Sequence, residues 1–164
     1  MRANPLTTLF RNALVAAAAC GAVAVVQAAD RTPTAPSPQA KQKLDLTGKK
    51  RVGKASFYAK KFNGRKMADG TRMNPQHAIA ASKTLPLGTT AKVTNLKTGQ
   101  STVVTIRDRG PYVAGRIVDL TPAAAEKVGL DRKEGLARVE VAPIAVPQPD
   151  GSVKPGAAAG AQPP

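Results

Sequence analysis

Apolar and polar positions alternate through the middle of this chain in short bursts, separated by glycine-bearing turns. Residues 52–58 (VGKASFY) alternate as a half-buried strand does, one face apolar and the other polar. Residues 78–81 are short and apolar, which predicts a buried strand. Residues 89–94 and 101–107 are rich in β-branched side chains and flank NLKTGQ, a hairpin loop of the longer type. Residues 116–120 and 137–141 predict two more strands. Between 60 and 73 the alternation fails: KKFNGRKMADGTRM holds an Asn-Gly and an Asp-Gly step, the mark of a loop with tight turns. One helix is expected after residue 120, with Thr121 as its cap, Pro122 at its first position, AAAEK as its body and Gly129 as its end. Five or six short strands and one short helix predict a mainly β fold, a small closed barrel, because closure removes exposed strand edges.

The ends of the 164-residue chain read differently. Arg2 and Arg11 precede the apolar run ALVAAAACGAVAVV, and Val26-Gln27-Ala28 follows as a small-residue cleavage signature. Residues 1–28 are therefore expected to be an export signal, too short in its apolar run to span a membrane. Cys20 is the one cysteine, either a lipid-anchor site or an ordinary member of that run. If it leaves with the signal, no disulfide is available. Residues 29–49 read as a disordered linker and 143–164 as a disordered tail rich in Pro, Ala and Gly. The foldable part is residues 50–142, one small core.

Charge narrows the partners. The formal net charge is +15, and between Lys49 and Ala142 there are 19 Lys and Arg against seven Asp and Glu. A basic surface attracts nucleic acid, anionic lipid or an acidic polymer, or serves only solubility. Export excludes most nucleic-acid roles. The foldable part has no Trp and only Phe57, Tyr58, Phe62 and Tyr112 as aromatics. No nucleotide loop is present, and the lone His77 does not build a metal site, so neither cofactor nor metal is expected.

Three linked phrases lie in order over Gly53–Leu120: GKASFYAKKFNGRKMADGTRM, then SKTLPLGTTAKVTNLKTGQSTVVTIRDRGPY, then GRIVDL. Together they resemble the rare lipoprotein A family of septal peptidoglycan lytic transglycosylases. The resemblance implies a six-stranded double-psi β-barrel with one or two short helices over residues 50–142. It implies an endolytic lyase that cuts peptidoglycan glycan strands to 1,6-anhydro-muramic ends in the periplasm or cell envelope, with septal proteins as further partners. The lactyl and peptide carboxylates of peptidoglycan suit the basic surface. The sequence departs from the family at two positions. The family's acid/base Glu, in T-A-S-G-E, falls at Thr71 of Met67-Ala68-Asp69-Gly70-Thr71, and its His falls at Ser82. The alternative reading is therefore a non-catalytic, expansin-like barrel that binds the wall without cutting it.

Asp108, in IRDRGPY, is the carboxylate that the resemblance places in the groove, and it is expected to carry catalysis. On its residues alone it is equally a turn residue before Gly110-Pro111, paired with Arg107 or Arg109. Asp69 is the fallback acid and otherwise a turn residue; His77 is otherwise a surface loop residue. Asp119 is read as an acceptor for the free N–H groups at the helix start. Tyr58, Phe57 and Tyr112 are candidate sugar-stacking surfaces, with Phe57 favoured as core packing. Arg65, Lys66, Arg72, Arg107 and Arg109 are candidate contacts to acidic groups, and Tyr58, Arg65, Thr71, Ser82, Arg107, Arg109 and Tyr112 make up the expected substrate-binding set.

Overall fold

The computed structural model describes residues 43–130 and 133–160. The export signal, the Cys20 question and residues 29–42 of the linker lie outside the described residues. Seven strands follow in chain order: β1 (Arg51–Phe57), β2 (Ile79–Ala81), β3 (Thr90–Asn95), β4 (Ser101–Asp108), β5 (Arg116–Leu120), β6 (Ala137–Pro147) and β7 (Val153–Pro155). A 3-10 turn (Lys60–Phe62) follows β1, and helix α1 (Pro122–Lys127) follows β5. The strands pair in the order β1-β5-β2-β4-β3-β6, and β6 returns to β1, which closes a six-stranded ring. The β1/β5 and β2/β4 pairs are parallel and the others antiparallel. This mixed, closed ring with one short helix is the double-psi β-barrel.

Alternation builds the interior. In β3, Ala91, Val93 and Asn95 turn inward; in β4, Thr102, Val104 and Ile106 do so. They meet Ala55, Val118, Leu120, Val128 and Val139 in one core. Each fully buried Val, Leu or Ile contributes roughly 1.5–3 kcal/mol. Asn95 is polar and 2 % exposed, yet satisfied: its side-chain amide donates to the Val128 carbonyl (2.9 Å) and its Oδ1 accepts from the Lys97 N–H (2.9 Å). It fastens the β3–β4 turn to the end of α1, where Gly129 takes φ 63° and stops the helix.

Two features differ from expectation. Thr121 occupies the cap position of α1, but its hydroxyl does not cap. It donates to the His77 carbonyl (2.5 Å) and accepts from the Ile79 N–H (3.3 Å), stitching the start of β2 to the helix. The segment from residue 143, read as a disordered tail, is ordered through residue 160. β6 runs on to Pro147, and β7 pairs back onto it through Pro147↔Val153 and Ala145↔Pro155. The turn between them is local chemistry: the Asp150 carboxylate accepts from the Ser152 N–H (2.9 Å) and hydroxyl (2.7 Å). Beyond β7, the Ala157 N–H donates to the Gly48 carbonyl (2.9 Å) and the Ala158 N–H to the Pro143 carbonyl (2.8 Å). A Cβ on Gly156 would stand 2.2 Å from the Pro143 oxygen, so only glycine fits there. The Pro, Ala and Gly content that resembles disorder is thus a hairpin followed by a close-packed clasp. Order also begins earlier than Lys50, since the Asp45 N–H donates to the Thr84 carbonyl (2.7 Å).

Candidate active-site groove

Strand β2 is only three residues long, yet it orders the site. Ala81 is the register partner of Asp108 on β4 and also of Asp119 on β5. The two aspartates therefore flank Ala81 in one row across three strands, their Cα atoms roughly 10 Å apart at ordinary strand spacing. Both line a groove of about 720 Å³ with Tyr58, Phe62, Arg109, Tyr112, Val113, Arg116 and Leu136. Tyr112 is 59 % exposed, Val113 51 % and Leu136 41 %, so the groove presents apolar and aromatic surface to solvent beside two carboxylates.

Asp108 is held by three donors. The Tyr58 hydroxyl donates to Oδ2 (2.9 Å), and the backbone N–H groups of Ala68 (3.0 Å) and Arg109 (2.8 Å) donate to Oδ1. Burial pushes the Tyr58 hydroxyl well above the usual tyrosine range, helped by the Asp108 charge and hydrogen bond and by the Asp119 charge. Tyr58 therefore stays a donor. Asp119 accepts from the Ser56 hydroxyl (2.6 Å) and pairs with the Arg116 guanidinium. Neither guanidinium beside Asp108 in sequence holds its carboxylate. Arg107 pairs with Asp69 (3.3 Å), while Arg109 donates to the carbonyls of Ser82 (3.2 Å) and Leu85 (2.6 Å).

The structure divides the expected site residues among several places. Tyr58, Asp108, Arg109 and Tyr112 meet in the groove. Thr71 and Arg107 face a separate hollow of about 520 Å³, with Arg72, Asn74 and His77. The Thr71 hydroxyl is committed to the Asp69 carboxylate (2.7 Å). Burial works against the charge on Asp69, but the Thr71 hydroxyl and N–H and the Arg107 guanidinium outweigh it and hold the carboxyl below its ordinary value. Ser82 is 3 % exposed, accepts from the Leu85 N–H (3.2 Å) and lines neither cavity. Arg65 is exposed on the hairpin of residues 64–73 and lines neither cavity.

Asp119 corrects the sequence reading. It does not serve the helix start; it turns into the groove opposite Asp108. The signal was present in RIVDL: Val118 and Leu120 point into the core, so Asp119 between them must face away from it. That face is the groove.

A closed double-psi barrel, bearing a paired-carboxylate groove, is the class to which this fold belongs. The chain is a member of the lytic transglycolase family, whose sequence profile matches residues 50–141. A Pasteurella multocida protein described as endolytic peptidoglycan transglycosylase RlpA is 52 % identical over 86 residues, covering 52 % of this chain and 29 % of that one. A Pseudomonas aeruginosa PAO1 protein of the same description is 38 % identical over 133 residues, covering 72 % of this chain and 39 % of the relative. The chain thus spans well under half the length of these relatives. Among solved structures, the Streptomyces papain inhibitor aligns with a TM-score of 0.47 at 24 % identity, covering 60 % of this chain and 97 % of that one.

Proposed function

We propose that this chain is exported to the cell envelope and cleaves peptidoglycan glycan strands there as an endolytic lytic transglycosylase. The observation that carries the reading is the row Asp108–Ala81–Asp119 in an aromatic-edged groove, within a barrel of this family. The reaction is intramolecular: the C6 hydroxyl of the muramic acid attacks its own anomeric carbon, and the bond to the leaving amino sugar breaks without water. One carboxyl suffices for the proton traffic. Asp108 makes no ion pair among the described residues, and it takes this role: its carboxylate, held by three donors, accepts the proton of the attacking C6 hydroxyl. The resulting carboxylic acid gives that proton to the glycosidic oxygen as the bond to the leaving sugar breaks, which restores Asp108. Asp119, paired with Arg116, supplies fixed negative charge for the oxocarbenium-like transition state. Tyr58 orients Asp108, and Tyr112 offers a sugar-stacking face. Asp69, the fallback acid, is tied to Thr71 and Arg107 on the hollow side and is the poorer candidate.

One observation favours a second reading, a barrel that binds glycan without cleaving it. Thr71 and Ser82 stand at the family's Glu and His positions, and their hydroxyls are engaged within the protein. Digestion of purified sacculi, followed by mass spectrometry for 1,6-anhydro ends, decides between the two. Anhydro products support the lyase; binding without products supports the second reading.

A further inference from the structure

The turn of residues 82–85 leaves β2 directly after Ala81, the residue between the two aspartates, and it is held from both sides. On one side, the Asp45 N–H donates to the Thr84 carbonyl (2.7 Å) and the Arg51 guanidinium to the Thr84 hydroxyl (2.7 Å). On the other, a single nitrogen of Arg109, Nη1, donates to the carbonyls of Ser82 (3.2 Å) and Leu85 (2.6 Å). Within the turn, the Leu85 N–H donates to the Ser82 hydroxyl (3.2 Å), and Leu85 is part of the barrel core. The turn is therefore a fixed anchor. It also reaches Asp108, because the Ser82 N–H donates to the Asp108 carbonyl (3.1 Å). The Arg109 N–H completes the circuit by donating to Asp108 Oδ1 (2.8 Å).

We infer that Arg109 is a positioning residue for Asp108: its guanidinium ties the anchored turn to the end of β4 and so fixes the carboxylate, instead of gripping the substrate. The inference rests on the lyase reading of the groove. Among the described residues the Arg109 guanidinium forms no ion pair; its hydrogen bonds go to the two carbonyls. Those carbonyls belong to residues 3 % and 4 % exposed, so water is a poor substitute for the guanidinium there. Orienting the acid/base group helps the transition state and leaves ground-state binding of the glycan unaltered. A guanidinium on the substrate would act on binding as well.

The test compares Arg109→Gln and Arg109→Lys in the full chain by two measurements. The first is steady-state release of 1,6-anhydro ends from soluble glycan strands. Arg109→Gln is expected to lower kcat by about ten- to a hundredfold, the effect of a small displacement of a catalytic group, with KM within about twofold of wild type. Arg109→Lys is expected to fall between the two, because an ammonium carries three donors and one nitrogen serves both carbonyls. The second measurement is hydrogen exchange. In Arg109→Gln the Ser82 and Leu85 amides are expected to exchange at least about tenfold faster while those of β3 keep their protection. If Arg109→Gln fails to fold, Arg109→Lys carries the same two readouts at smaller size. A raised KM at unchanged kcat puts the guanidinium on the substrate and overturns the inference. So does a kcat that neither variant lowers, protection at Ser82 and Leu85 that survives, or equal loss of protection in β3. A wild type that releases no anhydro ends overturns the lyase reading instead, and the exchange measurement then decides the clamp by itself.

Discussion

The barrel and the loop that covers its end are built by different rules. The barrel core gathers fifteen buried residues, all aliphatic, from strands closed into a ring and from the helix behind them. The loop of residues 59–78 has only a small core of its own, in which Met67 and Met73 pack on Tyr58, Ile79 and Ala81. Charge divides the same way: among the described residues the barrel fully buries no charged side chain, while the loop carries Lys60, Lys61, Arg65, Lys66 and Arg72, none of them in an ion pair, and Asp69, which pairs with Arg107 of β4. The loop nonetheless supplies one donor to Asp108 and one wall of the hollow. Strong, self-sufficient packing holds the two groove carboxylates in register, and weak, polar packing holds what surrounds them. Segments of the second kind open locally at lower free energy than the global fold.

Truncating each core is the sharpest way to break this contrast. Ile106→Ala, in the centre of the barrel, should cost about 2–5 kcal/mol, and thermal melting should shift the whole molecule. Next in size, Asp108→Asn should reduce release of 1,6-anhydro ends by at least about a hundredfold with Tm nearly unchanged, because Asn keeps the shape and an acceptor for the turn. Retained activity in that variant would move the acid to Asp119 or Asp69. Met73→Ala should loosen the loop more than the barrel. Hydrogen exchange at the amides of Gly64, Met67 and Gly70 should speed up while those of β3 and β4 keep their protection; equal loss in both would show one cooperative unit.

The smallest effect concerns pH. The Asp69 carboxyl lies below its ordinary value in the fold, so its charged form stabilises the hairpin tip above the unfolded value of 3.8, and that contribution fades as pH falls through the folded value. Protection of the Asp69 and Thr71 amides, taken relative to their intrinsic exchange at each pH, should therefore fall below about pH 4, and Asp69→Asn should remove the dependence. A hairpin whose protection is flat through this window would show that Met67 and Met73 alone hold it.

The strands β3 and β4 were legible because alternation and a Gly-bearing turn are local properties of about twenty residues. The resemblance over Gly53–Leu120 brought Asp108 to the groove before any contact was known. Asp119 was misread because a carboxylate two residues ahead of a helix cap has an obvious local partner, and only strand pairing shows that it lies across Ala81 from Asp108. Thr121 holds the expected cap position, but its hydroxyl bonds elsewhere for the same reason: its partners, at residues 77 and 79, are more than forty positions away. The C-terminal hairpin was hidden by its composition, although its Asp-Gly turn was in plain view.

The sequence by itself determined the β character, the single core, the hairpins, the basic surface and the family, since each rests on pattern or motif within short stretches. The tertiary structure alone decided which chemistry-bearing residues share a space. It placed Asp108 and Asp119 together, sent Thr71 and Arg107 to the hollow, and buried Ser82. In a closed barrel, strand order departs from chain order, so neighbours across a sheet are set by ring closure and register rather than by spacing along the chain.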